Sequence, residues 1–202
     1  MLKKIIITLL LLPALVYLTR VGVADFLRLA PCFYVDALMR GNVSFDSTEL
    51  TKAHERLLLA RSWDAGNPII LEYLGQTDFI LAQVSGFNPV LQAELLRKAV
   101  INFELAIKLR PNSSYLWAAR MTAGSWLLGL NTKLGLKNFD AKSEWMAIKL
   151  SLRRSAALGP WEPSVLKQVV KVGTFRYKEF DADERLIIDR AILRERQLGS
   201  RL

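Results

Sequence analysis

Residues 103–120 read FELAIKLRPNSSYLWAAR. Apolar side chains recur at helical spacing as far as Leu109. Pro111 cannot continue that helix, because it has no amide hydrogen and its ring clashes with the preceding turn. Asn112-Ser113-Ser114 then supplies turn and capping chemistry, and the apolar pattern restarts at Trp117. The stretch predicts two helices joined by a tight reversal, with the second antiparallel to the first. Counting back from Pro111, Ala106 lies five residues before it, Phe103 eight and Ala99 twelve. Ala99 and Ala106 fall on one side of the helix, where a methyl side chain lets a neighbour approach closely. Phe103, about one turn from each, fills the space between the pair.

Ala-x3-Phe-x2-Ala-x4-Pro resembles the second helix of a tetratricopeptide repeat, and Trp117 stands where the next repeat carries its first-helix aromatic. The spacing recurs in weaker form, with Leu152, Ser155 and Pro160 matching Phe103, Ala106 and Pro111. The two prolines are 49 residues apart, against about 34 for a standard repeat. The surplus predicts an inserted loop or short extra helix over Gly129–Ser143. Upstream, Leu74-Gly75 resembles a first-helix signature, although Gly75 lies 24 residues before Ala99, roughly twice the expected distance. The resemblance spans about Pro68 to Phe180. It implies stacked helix pairs, an architecture that mostly serves as a platform for peptides or proteins.

The rest of the chain agrees in class. Ser47 is the expected N-cap of a helix carrying Leu50, Ala53, Leu57, Leu58 and Ala60, and Gly66 is the expected left-handed C-cap residue. Further helices are predicted over Ile69–Val84, Val90–Leu109, Ser113–Leu130, Lys142–Leu158, Pro163–Phe180 and Asp183–Leu198. Ser85-Gly86-Phe87-Asn88-Pro89 marks a break between the first two. Asp181, Asp183 and Glu184 read as the cap of the last helix. No stretch alternates apolar and polar residues long enough to form a sheet. The expected fold is all-α.

The N-terminus has its own pattern. Lys3 and Lys4 precede an apolar run from Ile5 to Leu18, interrupted by Thr8 and Pro13. Apolar character resumes at Val21, with Arg20 able to snorkel at the far interface. Residues 1–24 are therefore expected to be an uncleaved signal anchor, with cleavage after Gly22-Val23-Ala24 as the alternative. The lysines would hold the N-terminus in the cytoplasm of a bacterium, and the helical-repeat domain, residues 25–202, would lie in the periplasm. Leu29-Ala30-Pro31-Cys32 is not an acylation site, because proline precedes the cysteine where a small flexible residue is needed. Cys32 reads as a small apolar core residue.

Chemistry is sparse. One cysteine and one histidine, His54, exclude an internal disulfide and a multi-histidine metal site. No Gly-x-Ser-x-Gly, P-loop or dinucleotide-binding pattern occurs. The expectation is a non-enzyme with no cofactor and no metal. Trp117 and Trp126 read as buried packing residues. Asn42-Val43-Ser44 and Asn112-Ser113-Ser114 match a glycosylation triplet, but turn chemistry accounts for the second.

Charge supplies the candidate contacts. The chain carries a formal charge of +9, and seven of those charges fall between Lys133 and Lys178. Lys149, Arg153, Lys167, Lys171 and Lys178 are candidate partner-binding residues, with Lys167 and Lys171 one helical turn apart. Trp161, fixed between Gly159-Pro160 and Pro163, joins them as an aromatic contact. An anionic polymer or lipid head groups are the physical complement of such a cluster. Nucleic acid is not, because no reading helix or basic tail is present.

Ala157-Leu158-Gly159-Pro160-Trp161-Glu162-Pro163, together with the N-terminal anchor and degraded repeats, resembles the VpsP-type polysaccharide biosynthesis proteins. That resemblance implies a non-enzymatic scaffold or adaptor at the bacterial inner membrane, binding the proteins of an envelope polysaccharide assembly. Two other readings stay open. One is a glycan-binding or glycan-modifying envelope protein that uses Trp161 and the basic cluster. The other is an adaptor for a different envelope assembly, such as a pilus or cytochrome maturation.

Overall fold

Every regular element in the computed structural model is helical. It describes residues 2–86 and 88–199, with side chains from Leu11 onward, and among these residues there is no strand. The helices are α1 (Leu2–Met39), α2 (Ser47–Trp63), α3 (Pro68–Val84), α4 (Pro89–Leu109), α5 (Ser114–Leu134), α6 (Ala141–Leu158), α7 (Pro163–Phe175) and α8 (Ala182–Gly199). A 3-10 turn, Tyr177–Glu179, precedes α8. The chain divides into two compact units, Met1–Thr77 and Asp78–Leu202, with the boundary inside α3.

In the first unit α1 and α2 form an antiparallel pair. Arg20 Nε at the middle of α1 donates to Trp63 O at the end of α2, and Tyr34 OH, nearer the end of α1, donates to Asp46 O just before α2 begins. Gly41, at φ +73°, ends α1, with its amide on Leu38 O and the Asn42 amide on Ala37 O. This is the paired-bond C-cap that favours a residue without a Cβ, and it absorbs Asn42 of the first glycosylation-like triplet. Ala24, Leu57, Ala60, Ile70 and Leu74 pack as the core. Tyr73 donates to Asp36 Oδ1 at 2.7 Å.

Several local expectations are corrected here. Asp46, not Ser47, caps α2, because its carboxylate accepts from the amides of Thr48 and Glu49. Gly66 does not take the left-handed conformation; α2 ends at Asp64 with φ −136°. Helix α1 runs on through Pro13 and Pro31 to Met39. No helix is long and apolar enough to cross a membrane among the described residues. Lys3, Lys4 and Ile5–Leu10 of the expected anchor lie outside the described side chains, and Phe87 of the expected break lies outside the described residues.

In the second unit the reversal at Pro111 forms as expected. Helix α4 ends at Leu109, Ser113 caps α5 by accepting from the Leu116 amide, and Trp117 Nε1 donates 2.8 Å to Pro111 O. Glu104 meets Arg120, and farther from the turn Arg97 Nη2 donates to Lys137 O, so the two helices run antiparallel. Ala99 and Ala106 are fully buried and Phe103 is 2% exposed. Leu152 and Ser155, their counterparts in α6, are fully buried as well. Gly159 closes α6 tightly against the start of α5, since a methyl group there would lie 2.7 Å from Ser114 Cβ.

The expected insertion over Gly129–Ser143 is corrected. Gly129 to Leu134 continue α5, Gly135 caps it at φ +58°, and Asp140 already caps α6. Part of the surplus lengthens α5, and the expected loop is confined to residues 135–140. Helix α7 ends earlier than predicted, at Phe175, where Arg176 turns inward. Asp181 and Glu184 cap α8 reciprocally, each side chain accepting the other's amide. Helix α5 packs on α4, α6 and α7, and α7 packs on α8.

Candidate functional site

Helices α5 and α7 flank a cavity of about 530 Å³. Trp126, Gly129, Leu130 and Lys133 line it from α5, Lys171, Val172 and Phe175 from α7, and Gln92 reaches in from α4. The α5 residues stand at i, i+3, i+4 and i+7, so one helix face supplies them. The α7 residues follow the same rule.

Buried polar contacts hold the walls. The Arg176 guanidinium is inside the fold, with Nε donating to Ser125 Oγ at 2.8 Å and Nη2 to Ser125 O at 2.9 Å. Its Nη1 donates to the Glu179 carboxylate at 2.9 Å, and the guanidinium carbon lies 5.9 Å from the Trp145 ring and 5.7 Å from the Phe175 ring. A buried guanidinium needs such partners, and here they fasten the end of α7 to the middle of α5. Thr122 Oγ1 lies 3.1 Å from Gln168 Oε1, a second tie between the same helices. Phe79, at the end of α3, meets Trp126 edge to face with centroids 5.9 Å apart.

The result is a preformed groove with an aromatic and aliphatic floor. Trp126 is 37% exposed and Phe175 79% exposed. The expectation that Trp126 is a buried packing residue is thus corrected: one side packs on Phe79 and the other faces the groove. Trp117 is half-buried and fixes the turn. Lys133 and Lys171 stand at the rim, exposed, and neither makes an ion pair among the described residues. An apolar floor between two uncompensated ammonium groups is complementary to a ligand that carries acidic groups beside apolar ones.

The other sequence-predicted contact residues do not gather there. Lys149 Nζ is bound 2.6 Å from Asp181 Oδ2 and 3.1 Å from Glu184 Oε2, and Arg153 Nη2 pairs with Glu184 Oε1. Glu184 is fully buried beneath these two cations. The Asp181 carboxyl is held well below the usual carboxylate range by its hydrogen-bonded contact with Glu184 and then by Lys149. Lys167 and Lys178 are exposed on α7 and the 3-10 turn. Trp161 is 53% exposed, with the Arg194 guanidinium 5.2 Å from its ring centroid.

Sequence reading missed Trp126, Phe175 and the pairing of Lys133 with Lys171. Trp126, Leu130 and Lys133 share a helical face, and that spacing is visible; nothing local joins it to Lys171 and Phe175, 38 to 49 residues on. Among the described residues, no three His, Cys, Asp or Glu side chains gather as a metal-binding group. His54 lies on α2 in the first unit. Comparison with protein-family models, with curated proteins and with solved structures gives no match.

Proposed function

We propose that this protein is a non-enzymatic, membrane-anchored adaptor that holds a partner protein in the α5–α7 groove. The groove itself carries the reading: Trp126, Leu130, Val172 and Phe175 form an apolar floor between the unpaired ammonium groups of Lys133 and Lys171. The occupant is a protein segment with acidic residues flanking apolar ones, because that pattern satisfies the floor and the rim together. The direct packing of α5 on α7, beyond the α4–α5 and α7–α8 neighbours, is in keeping with stacked tetratricopeptide-like pairs.

Anchoring is supported by α1. Leu11, Leu12, Leu15, Val16, Tyr17 and Leu18 are all more than half exposed. Apolar side chains bare on every side of a helix favour lipid as their surroundings. In this reading residues 1–24 are a single-pass inner-membrane anchor with a cytoplasmic N-terminus, and the remainder is periplasmic. The resemblance of the Ala157–Pro163 stretch supports a place for the adaptor in cell-surface polysaccharide biosynthesis or export. A glycan-binding role is the second reading, favoured by the exposure of Trp161 beside Arg194.

Gly129→Leu tests the adaptor reading. A Cβ at Gly129 meets only Arg176 Nη2, at an ordinary 3.6 Å, and Gly129 lines the groove, so a longer side chain there narrows it, with circular dichroism checking that the fold is kept. Cross-linking in native membranes should recover a polysaccharide-assembly protein from the wild type and lose it with Gly129→Leu, at unchanged thermal stability. Equal recovery from both, or tight salt-sensitive binding of the purified protein to the organism's polymer instead, would remove the adaptor reading.

A further inference from the structure

A second cavity, about 310 Å³, opens between α6 and α8. Arg153, Arg190 and Arg194 line it over a floor of Ala157, Pro160 and Ile187. Arg190 and Arg194 stand one turn apart on the same face of α8, where like charges repel. The neighbouring acids do not relieve them. Glu184 and Asp181 are taken up by Lys149 and Arg153, which balance them charge for charge. Arg190 and Arg194 have no acidic partner among the described residues, and Arg194 is held by cation–π contact with Trp161 at the cavity's edge. Arginines concentrated around one concave site are unfavourable for the chain alone and favourable once an anion enters.

We infer that this cavity binds a phosphate-class oxyanion. Each guanidinium presents a planar fork of donors, and the two uncompensated forks of Arg190 and Arg194 together carry two positive charges, one more than a single carboxylate neutralises. A tetrahedral phosphate or pyrophosphate offers acceptor edges in several directions. The apolar floor of Ala157, Pro160 and Ile187 suits the group that carries the phosphate. The site lies on α6 and α8 and shares no residue with the α5–α7 groove, so the two readings stand or fall separately.

The test titrates inorganic pyrophosphate into the full chain, held in neutral detergent, by calorimetry. Saturable binding is expected, weakened about tenfold by Arg190→Gln or by Arg194→Gln. Arg154→Gln, an exposed arginine of α6 outside the cavity, should leave it unchanged, and far-ultraviolet dichroism should show all variants folded. No saturable heat, or equal weakening by Arg154→Gln, overturns the site. Vesicles of equal parts phosphatidylcholine and phosphatidylglycerol then identify the source. If pyrophosphate displaces the wild type from them and Arg190→Gln binds them less, the phosphate is a lipid head group. If wild type and variant partition alike, it belongs to a soluble ligand. Vesicle binding without any pyrophosphate binding overturns the proposal.

Discussion

Gly173 sits in the last turn of α7, where glycine costs up to about 1 kcal/mol relative to alanine on helix propensity alone. An unobstructed helix would therefore gain from Gly173→Ala. The structure predicts the opposite. A methyl at Gly173 would lie 2.6 Å from Ile188 Cγ1 and 2.8 Å from Ile188 Cγ2, inside van der Waals contact. Ile188 is itself fully buried between α7 and α8 and cannot swing away into solvent. Overpacking of this kind costs about 1–3 kcal/mol. Set against the propensity gain, the net loss is about 1 kcal/mol, or about 2–4 °C in Tm for a chain of this size. Ile188→Ala removes all three crowding atoms and leaves a cavity, at about 2–5 kcal/mol. In that background the methyl at 173 meets no obstruction and fills part of the void. Gly173→Ala should then stabilise by about 1 kcal/mol, giving a coupling of about 1–3 kcal/mol between the sites. Urea unfolding of the wild type, both single variants and the double variant measures it. Additive effects, or stabilisation by Gly173→Ala alone, would refute the close α7–α8 packing.

Three further outcomes follow from named contacts. Arg120 is 4% exposed and held between Glu104 and Glu144, of which Glu144 is 11% exposed; Arg120→Ala should cost about 3 kcal/mol in urea unfolding because it strands a buried carboxylate, and Glu144→Gln in that background should recover part of the loss. Burial pushes the Cys32 thiol up to about 11 from 9.0, so its neutral-pH thiolate population falls about a hundredfold and alkylation by iodoacetamide should be slower by a similar factor than in the urea-unfolded chain. Asp181 has a depressed folded-state value, so its contribution to stability is present above the unfolded value of about 3.9 and is lost as pH falls below it. The stability gap between wild type and Asp181→Asn should accordingly be full at neutral pH and narrow in increasingly acidic urea titrations.

What could be read from the chain alone was whatever a single turn decides. Pro111 with Ser113 sets the α4–α5 reversal through local geometry, and Ala99, Phe103 and Ala106 declare their buried face by spacing. The loop expected over Gly129–Ser143 is shorter, residues 135–140, because Gly129 is helical and Gly135, six residues later, takes the left-handed cap. Gly66 failed for a related reason: two of the chain's glycines have positive φ among the described residues, and spacing does not distinguish them. The groove was half legible. Trp126, Leu130 and Lys133 lie on one stripe of α5, yet their meeting with Lys171 and Phe175 depends on how α7 returns to α5, which no local pattern encodes. Lys149 and Arg153 read as free cations because their acidic partners, Asp181 and Glu184, had been assigned to capping alone. The structure gives those two carboxylates both tasks.

A partner protein seated in the α5–α7 groove would lie against Phe175. A photo-cross-linking amino acid at Phe175, on the open side of the groove, tests it most directly in native membranes, with Leu150 on the exposed face of α6 as the comparison position. A discrete adduct is expected from position 175 with a component of the polysaccharide assembly, through a segment with acidic residues beside apolar ones. That adduct should be absent from position 150 and lost when Lys133 and Lys171 are both changed to Glu. An identical adduct pattern from both positions, or an adduct unaffected by the charge reversal, would contradict it.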